Sequence, residues 1–300
     1  MINEESDQLS QPTLLAVLAH PDDETFGMGG TLALYARRGV QVFLVCATRG
    51  EVGDVDEKYM QGYESVAARR ETELRCAAGK LGLSGVYFLD YRDSGMPGSP
   101  DNQHPRALFA QPMEQVAQDV AGFIRLLRPQ VVVTFDPIGG YRHPDHIAIH
   151  NATVRAFQLA AEPGFSDKRG LAPFKAEKLY FQTMPRTLLR LMVRLMRLAG
   201  RDPTKFGHNK DIDLESIAKV SFPTHAVVDY HQVAAIRDDA SACHASQGGQ
   251  GMVSGIFGIL RRWLASRETY MRAEPVPLNG HMEKDLFEGL KNLPAVKVDL

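Results

Sequence analysis

Two short polar stretches carry residue types that could bind a metal ion. The first, H-P-D-D-E, begins at His20 and directly follows an apolar run. His20 and Asp23 are three residues apart at the entry to a predicted helix, so both side chains can face one point. The second, H-P-D-H, begins at His143; its proline favours the first helical position, which makes His143 the predicted cap and His146 a first-turn residue.

Together the two stretches predict a catalytic metal site. A site that draws a histidine and an aspartate from the first stretch and a histidine from the second has three ligands and leaves a fourth position for water, as in catalytic rather than structural zinc sites. Zinc lowers the pKa of its bound water to about 7 and polarises a carbonyl oxygen. The reaction also needs a carboxylate that does not bind the metal, and Asp22 is placed to be this general base. Fe²⁺ is compatible with the same ligands.

The simpler interpretation of the first stretch is that its acids cap the next helix. One acid is enough for capping, and capping explains neither His20 nor the second cluster. For Asp22 the alternative is a hydrogen-bonding turn residue, and for His143 it is a cap without chemistry. The paired spacing favours the metal site.

Repeated strand and helix patterns predict the framework that positions these residues. Short runs that are apolar on successive residues are typical of strands buried on both faces of a parallel sheet. Helical spacing separates them, which predicts a Rossmann-like, doubly wound α/β fold with a mostly parallel sheet and helices on both faces. The predicted strands are Leu14–Ala19, Val42–Ala47, Val86–Leu89 and Val131–Phe135, and the helices are Thr25–Arg38, Tyr63–Leu81 and Met113–Leu127.

Polar residues follow each predicted strand, which gathers them at one edge of the sheet. Ligands in such folds bind beyond the carboxyl ends of the strands. The second half is less regular, with predicted strands at Lys178–Gln182 and Val227–Tyr230 and a predicted helix at His231–Ser246. The glycine-rich stretch 248–258 predicts a mobile loop.

Four motifs in order resemble the PIG-L/LmbE-like family of zinc-dependent N-deacetylases. They are H-P-D-D-E, T-R-G-E, Y-R-D-S-G-M and H-P-D-H, within residues 13–160, and H-A-S-Q from His244 resembles a later family element. The resemblance implies a Rossmann-like fold and hydrolysis of an acetamide on an N-acetylglucosamine-type sugar or glycoconjugate. An amidase of mycothiol- or bacillithiol-type S-conjugates is the alternative on the same site.

The resemblance also implies a role for each matching residue. His20, Asp23 and His146 would hold Zn²⁺. Asp22 would deprotonate the attacking water and then return the proton to the leaving amine. His143 would stabilise the oxyanion and could share the general-acid role.

Further positions are implied around the substrate. Tyr141 corresponds to a mobile tyrosine of the mycothiol-pathway branch that helps to polarise the carbonyl. Arg49 and Asp93 would contact the sugar, although a salt bridge between them or a loop anchor is the plainer interpretation. His244 could line the pocket, or simply be packed. Asp145 could orient a histidine ligand.

Composition limits the other classes of protein. The 300 residues hold 34 basic and 36 acidic side chains, a net charge of −2, which gives no electrostatic case for nucleic acid. Three cysteines without a C-x-x-C pattern favour a reducing compartment without structural disulfides. No signal-peptide pattern or 18-residue apolar run is present, so we expect a cytoplasmic protein without membrane insertion. A flexible tail, 1–12, precedes one domain, 13–300, whose core is 13–160 and whose specificity segment is 161–300.

Two other patterns have competing interpretations. Arg190, Arg194, Arg197 and Arg201 share one face of a predicted helix, which suits a membrane-surface helix or a lid. We favour an apolar helix packed on the domain or on a second subunit, because no second membrane anchor is visible; a homo-oligomer is therefore possible. G-M-G-G at 27–30 does not fit a dinucleotide fingerprint. A nucleotide- or metal-binding protein without turnover is disfavoured, since it has no need for Asp22.

Overall fold

A mixed seven-stranded sheet forms the centre of the protein in the computed structural model, which describes residues 11–184, 186–206, 212–253, 266–277 and 280–290. The strand order in this described part is β3-β2-β1-β4-β5-β7-β6. The first five strands along the chain are parallel, and β7 runs antiparallel to both β5 and β6. The strands are β1 (Thr13–Leu18), β2 (Gln41–Cys46), β3 (Gly85–Phe88), β4 (Val131–Phe135), β5 (Lys178–Thr183), β6 (Ala226–Asp229) and β7 (Arg267–Glu274).

Helices cover both faces of this sheet. Every residue of β1 and β4 is buried, and successive side chains of a strand face opposite sides, so both faces are covered. The predicted α/β fold with a mostly parallel sheet is confirmed. The helices are α1 (Asp23–Arg37), α2 (Val66–Leu81), α3 (Met113–Leu127), α4 (Gly139–Arg142), α5 (Pro144–Leu159), α6 (Arg186–Leu198), α7 (Leu214–Lys219), α8 (Ala234–Cys243) and α9 (Gly249–Val253).

Local signals account for where two site-bearing helices begin. Ser65 caps α2 by accepting the N–H of Ala68, which places the helix start after the predicted Tyr63. His143 caps α5 by accepting the N–H of Asp145 at its Nδ1, with Pro144 at the first helical position, as predicted.

Three predictions for the second half need correction. Strand β7 was not predicted, because its sequence, R-E-T-Y-M-R-A-E, is mostly polar and forms no extended apolar run. The helix predicted over His231–Ser246 is interrupted: short 3₁₀ turns at His231–Val233 and Ala245–Gln247 flank α8. In the glycine-rich stretch 248–258, α9 replaces part of the predicted loop, and positions 254–258 lie outside the described residues.

A disulfide joins Cys76 of α2 to Cys243 at the end of α8, with their Cα atoms 5.9 Å apart. The expectation of no disulfide was wrong because sequence spacing does not reveal that these two helices pack together. The third cysteine, Cys46, is free and buried.

The arginine-rich helix α6 packs on the domain along one face. Leu189 and Val193 are buried against Leu214 and Ile217 of α7. A second face is exposed, with Leu191, Leu195 and Leu198 showing 51%, 55% and 84% of their surface. One face of α6 is therefore packed on the domain, as predicted, and the face with these three leucines is exposed to solvent. Within the described residues, no helix has the length and apolar character needed to cross a membrane.

Candidate metal-dependent active site

A cavity of about 490 Å³ opens beyond the carboxyl ends of β1 to β4, where the fold predicts a ligand site. This volume lies within the range of small-molecule sites. The cavity is lined by three of the predicted catalytic residues, by one predicted ligand and by Asp93, together with side chains from several other loops. The predicted residues among them are His20, Asp22, Asp93, Tyr141 and His143.

Three donor groups meet at the inner end of the cavity. The distance from His20 Nδ1 to His146 Nε2 is 3.2 Å, and that from His146 Nε2 to Asp23 Oδ1 is also 3.2 Å. His20 Nδ1 lies 3.6 Å from Asp23 Oδ2. All three side chains are largely buried.

The spacing of these donors fits a small divalent cation. Tetrahedral zinc with ligands at about 2.0 to 2.2 Å holds its donor atoms roughly 3.3 to 3.6 Å apart. The three distances, 3.2, 3.2 and 3.6 Å, lie close to this range, with Oδ1 of Asp23 nearest His146 and Oδ2 nearest His20. Two other groups of donor atoms in the described residues also lie close enough together to hold a metal ion: His20 with His143 and His146, and His20 with Asp93 and Asp145.

The other ring nitrogen of His20 faces carboxylates, which fixes the orientation of the ring. His20 Nε2 lies 3.2 Å from Asp145 Oδ2 and 3.4 Å from Asp93 Oδ1. Asp145 is fully buried and accepts both the N–H and the hydroxyl of Ser94. An imidazole anchored in this way has its Nδ1 turned toward His146 and Asp23, and the orienting role of Asp145 stays a prediction.

Asp22 lines the cavity together with His20 and Arg70. Its carboxylate contacts the guanidinium of Arg70, with Oδ2 3.1 Å from Nη2. Burial raises the pKa of Asp22 to about 6; Arg70 opposes this rise and the adjacent Asp23 adds to it. A carboxyl with this pKa, open to the cavity, has the properties of a general base.

Arg70 lines the cavity but was not among the predicted site residues. It is buried in α2, and its guanidinium donates to the carbonyls of Pro21 and Gly50 as well as to Asp22. Gly50 and Gly53 leave the space that the guanidinium occupies, because a Cβ on either residue would collide with Nη1. The closely spaced glycines after β2 were the only available signal.

His143 and Tyr141 reach the cavity from the loop after β4. The Nδ1 of His143 accepts the N–H of Asp145, so in the neutral ring the proton is on Nε2. Burial lowers the pKa of His143 well below its usual value, and so do His20 and His146. The ring of Tyr141 lies 4.9 Å from that of His146, and burial raises the pKa of its hydroxyl, which therefore remains protonated.

Two predicted substrate contacts do not reach the cavity. Arg49 extends along the surface, where it pairs with Glu71 at 2.8 Å and with Asp90 and stacks on Phe88. His244 is completely buried and bonded to Glu24 at 2.6 Å. Neither side chain lines the cavity, because each is bonded to carboxylates outside it: Arg49 to Glu71 and Asp90, and His244 to Glu24.

Several lining residues were not among the predicted site residues, although some of them belong to the motifs Y-R-D-S-G-M and H-A-S-Q. The rim includes acids from the loop after β2 and the residues that directly follow His244. These are Val52, Gly53, Asp54, Asp56, Gly95, Met96, Ile212, Ser246, Gln247 and Gly248.

Comparison with known proteins identifies the family. Residues 15–157 match the model of the PIG-L family, described as GlcNAc-PI de-N-acetylase. A 1D-myo-inositol 2-acetamido-2-deoxy-alpha-D-glucopyranoside deacetylase of Catenulispora acidiphila is 36% identical, covering 95% of this chain and all of the relative. The chain belongs to the PIG-L family. A relative with the same description from Streptomyces avermitilis is also 36% identical, over 92% of this chain and 97% of its own length.

Solved structures in this family's fold agree with the architecture. A conserved protein of Thermus thermophilus matches with a TM-score of 0.56 at 23% identity, covering 89% of this chain and 96% of its own. The 4-carboxy-2-hydroxymuconate hydratase of Pseudomonas putida matches with a TM-score of 0.57 at 18% identity, over 90% and 99% of the two chains. At these identities the likeness concerns the fold alone, and a hydratase among the matches means that function must come from the site.

Proposed function

We propose that this PIG-L family member is a metal-dependent N-deacetylase of an N-acetylglucosamine-type sugar or glycoconjugate. One observation carries the proposal: Asp22 stands beside a three-donor cluster without joining it, and both open into a cavity of sugar size. Full-length relatives described as deacetylases of an acetamido-glucopyranoside support the same class of substrate.

The proposed ligands are His20, Asp23 and His146, and the proposed metal is Zn²⁺, with Fe²⁺ compatible with the same donors. When bound, the metal would acidify a water molecule and polarise the acetamide carbonyl. Asp145 would keep the Nδ1 of His20 aimed at the metal through its 3.2 Å contact with Nε2.

Asp22 is the proposed general base and proton carrier. It accepts one proton as the water oxygen forms a bond to the carbonyl carbon. It then delivers that proton to the nitrogen as the C–N bond breaks, which releases acetate and the free amine. The contact with Arg70 keeps Asp22 ionised at the start of the cycle, since the cation opposes the effect of burial on its pKa.

Two neutral donors are proposed to stabilise the oxyanion. His143 carries its proton on Nε2, since Nδ1 accepts the N–H of Asp145, and its lowered pKa keeps the ring neutral. It therefore acts as a hydrogen-bond donor and leaves the general-acid role to Asp22. The protonated hydroxyl of Tyr141 is the second donor.

Asp93 and Arg70 are the proposed contacts with the sugar hydroxyls. Asp93 lines the cavity, and its backbone partners, Gly95 N–H at 2.9 Å and Val52 N–H at 3.4 Å, fix its carboxylate. Arg70 replaces Arg49 in this role because its guanidinium lies at the cavity wall.

The test is release of free amine from a panel of N-acetylglucosamine glycosides, including an inositol glycoside, and of thiol S-conjugates, with and without a chelator. Chelator-sensitive release from the glycosides supports the proposal. Release from the thiol conjugates alone favours the amidase alternative. No release from protein that holds one metal per chain contradicts both. A cytoplasmic location and a homo-oligomer remain predictions.

A further inference from the structure

Two buried residues from distant parts of the chain form a short hydrogen bond behind the active site. The Nε2 of His244 lies 2.6 Å from Oε1 of Glu24, and neither side chain has any exposed surface. Oε1 also accepts the hydroxyl of Thr25. The Glu24 carboxylate is therefore fixed from the side opposite the cavity, and this pair belongs to neither the proposed ligands nor the proposed base.

The second oxygen of Glu24 holds the backbone of Asp22. Oε2 accepts the N–H of Asp22 at 2.9 Å. Asp22 has φ 114° and ψ −30°, a strained left-handed conformation that residues with a Cβ rarely adopt. The side chain of Asp22 makes no capping bond at the start of α1, although an aspartate at this position usually does. Surrounding contacts must therefore maintain this conformation.

His244 is itself held by the helix that carries Arg70. Cys243, its neighbour, is bonded to Cys76 of α2. The N–H and hydroxyl of Ser246 donate to Glu73 of α2 at 2.9 and 2.6 Å. Helix α2 thus reaches Asp22 by two routes, through Arg70 to the carboxylate and through His244 and Glu24 to the backbone.

We propose that Glu24 and His244 are positioning residues that hold Asp22 in its left-handed conformation, so that its carboxylate faces the cavity and Arg70. This inference rests on the proposed role of Asp22 as general base. Glu24 is the last residue of H-P-D-D-E and His244 is the first of H-A-S-Q. The two motifs are therefore joined by one hydrogen bond, and the proposal gives both residues the same role.

The first test needs no substrate. Amide hydrogen exchange, measured by NMR, reports directly on the N–H of Asp22. We expect exchange at Asp22 to rise at least tenfold in His244→Leu and in Glu24→Met, which has no oxygen to accept the N–H, and to stay near wild type in His244→Gln, whose amide can still donate to Glu24. The matched control is Glu268→Met, because Glu268 also accepts backbone N–H groups of α1, at Gly30 and Thr31. Unchanged exchange at Asp22 in folded Glu24→Met or folded His244→Leu would overturn the proposal.

The second test uses turnover of whichever panel substrate is cleaved. His244→Leu should lower kcat at least tenfold, with KM within about twofold and metal content unchanged, and His244→Gln should restore most of the loss. In an Asp22→Asn background, His244→Leu should cost no further activity, since residues that act through one group are not additive. Equal losses in both backgrounds would mean a general structural role. If wild type cleaves nothing, the proposed function fails, and the exchange measurement alone decides the positioning role.

Discussion

The guanidinium of Arg70 lies 3.1 Å from the carboxylate of Asp22, and it also donates to the carbonyls of Pro21 and Gly50. These contacts join the loops that follow β1 and β2. Arg70 therefore does two things at once: it fixes the shape of the cavity wall, and it opposes the rise in the pKa of Asp22 that burial causes.

Replacing Arg70 should impair catalysis more than folding. In Arg70→Met the carboxyl of Asp22 loses its cation, so burial favours the protonated form, which cannot accept a proton from water. We expect kcat to fall by about 10² or more, the usual range for a general base. Arg70→Lys keeps the charge but not the fork of donors, and should retain intermediate activity. Steady-state kinetics with a thermal melt checks both; a wild-type kcat in Arg70→Met would contradict the assignment.

A glycine substitution can test the same contact from the other side. A Cβ at Gly50 would collide with the guanidinium of Arg70, and φ there is +67°. Gly50→Ala should therefore lose activity as Arg70→Met does. Gly39→Ala is the matched control: φ is +80°, but nothing lies within 4 Å of its Cβ, so it bears only the backbone cost of about 1 to 2 kcal/mol and keeps its kcat. Equal kcat values for the two variants would show that crowding of Arg70 is unimportant.

The first half of the fold could be predicted because buried parallel strands are continuous apolar runs. The predicted Val131–Phe135 coincides with β4, and the other predicted strands of that half lie within one residue of the observed ones. Strand β7 could not be found in this way, since its mostly polar sequence contains no extended apolar run. Its place between β5 and β6 is set by pairing that sequence periodicity does not record.

Site residues could be predicted where they belong to one short motif at the end of a strand. They could not be predicted where a long side chain reaches the site, or leaves it, by contacts with another element. His20, Asp23 and His146 meet because strand ends converge at one edge of the sheet. Arg49 follows a strand in the same way, yet its long side chain turns to Glu71. Arg70 enters the cavity from a helix, and only its contacts in three dimensions reveal that.

The metal content of variants should distinguish the proposed ligands from the proposed base. Asp22→Asn should keep one metal per chain and lose kcat by about 10² to 10⁴. Asp23→Ala should lose the metal, because it removes one of three donors whose atoms lie 3.2 to 3.6 Å apart. Chelated wild type should melt at a lower temperature, since a ligand present at 100 times its Kd adds about 2.7 kcal/mol. Elemental analysis and melting curves check this; full metal content in Asp23→Ala would contradict the ligand set.

The disulfide between Cys76 and Cys243 should support both stability and the active site. It joins residues 167 positions apart, and cross-links of this kind usually contribute about 2 to 4 kcal/mol to the free energy of unfolding. The disulfide also lies next to His244 and on the helix that carries Arg70. Its loss should therefore weaken the contact of Arg70 with the Asp22 carboxylate and the contact of Glu24, which His244 holds, with the Asp22 N–H. We expect reductant, or Cys76→Ser with Cys243→Ser, to lower the denaturation midpoint and to reduce kcat severalfold.

Cys46 provides the control for that experiment. It is a free, buried thiol, so Cys46→Ala retains the disulfide and should keep the shift of the denaturation midpoint on reduction. The double serine variant should show no such shift, because it has no bond left to reduce. Thiol counting under denaturing conditions completes the measurement: one free thiol per chain is expected before reduction and three after. Three free thiols in protein that was never reduced would show that this pair of helices is held by packing alone.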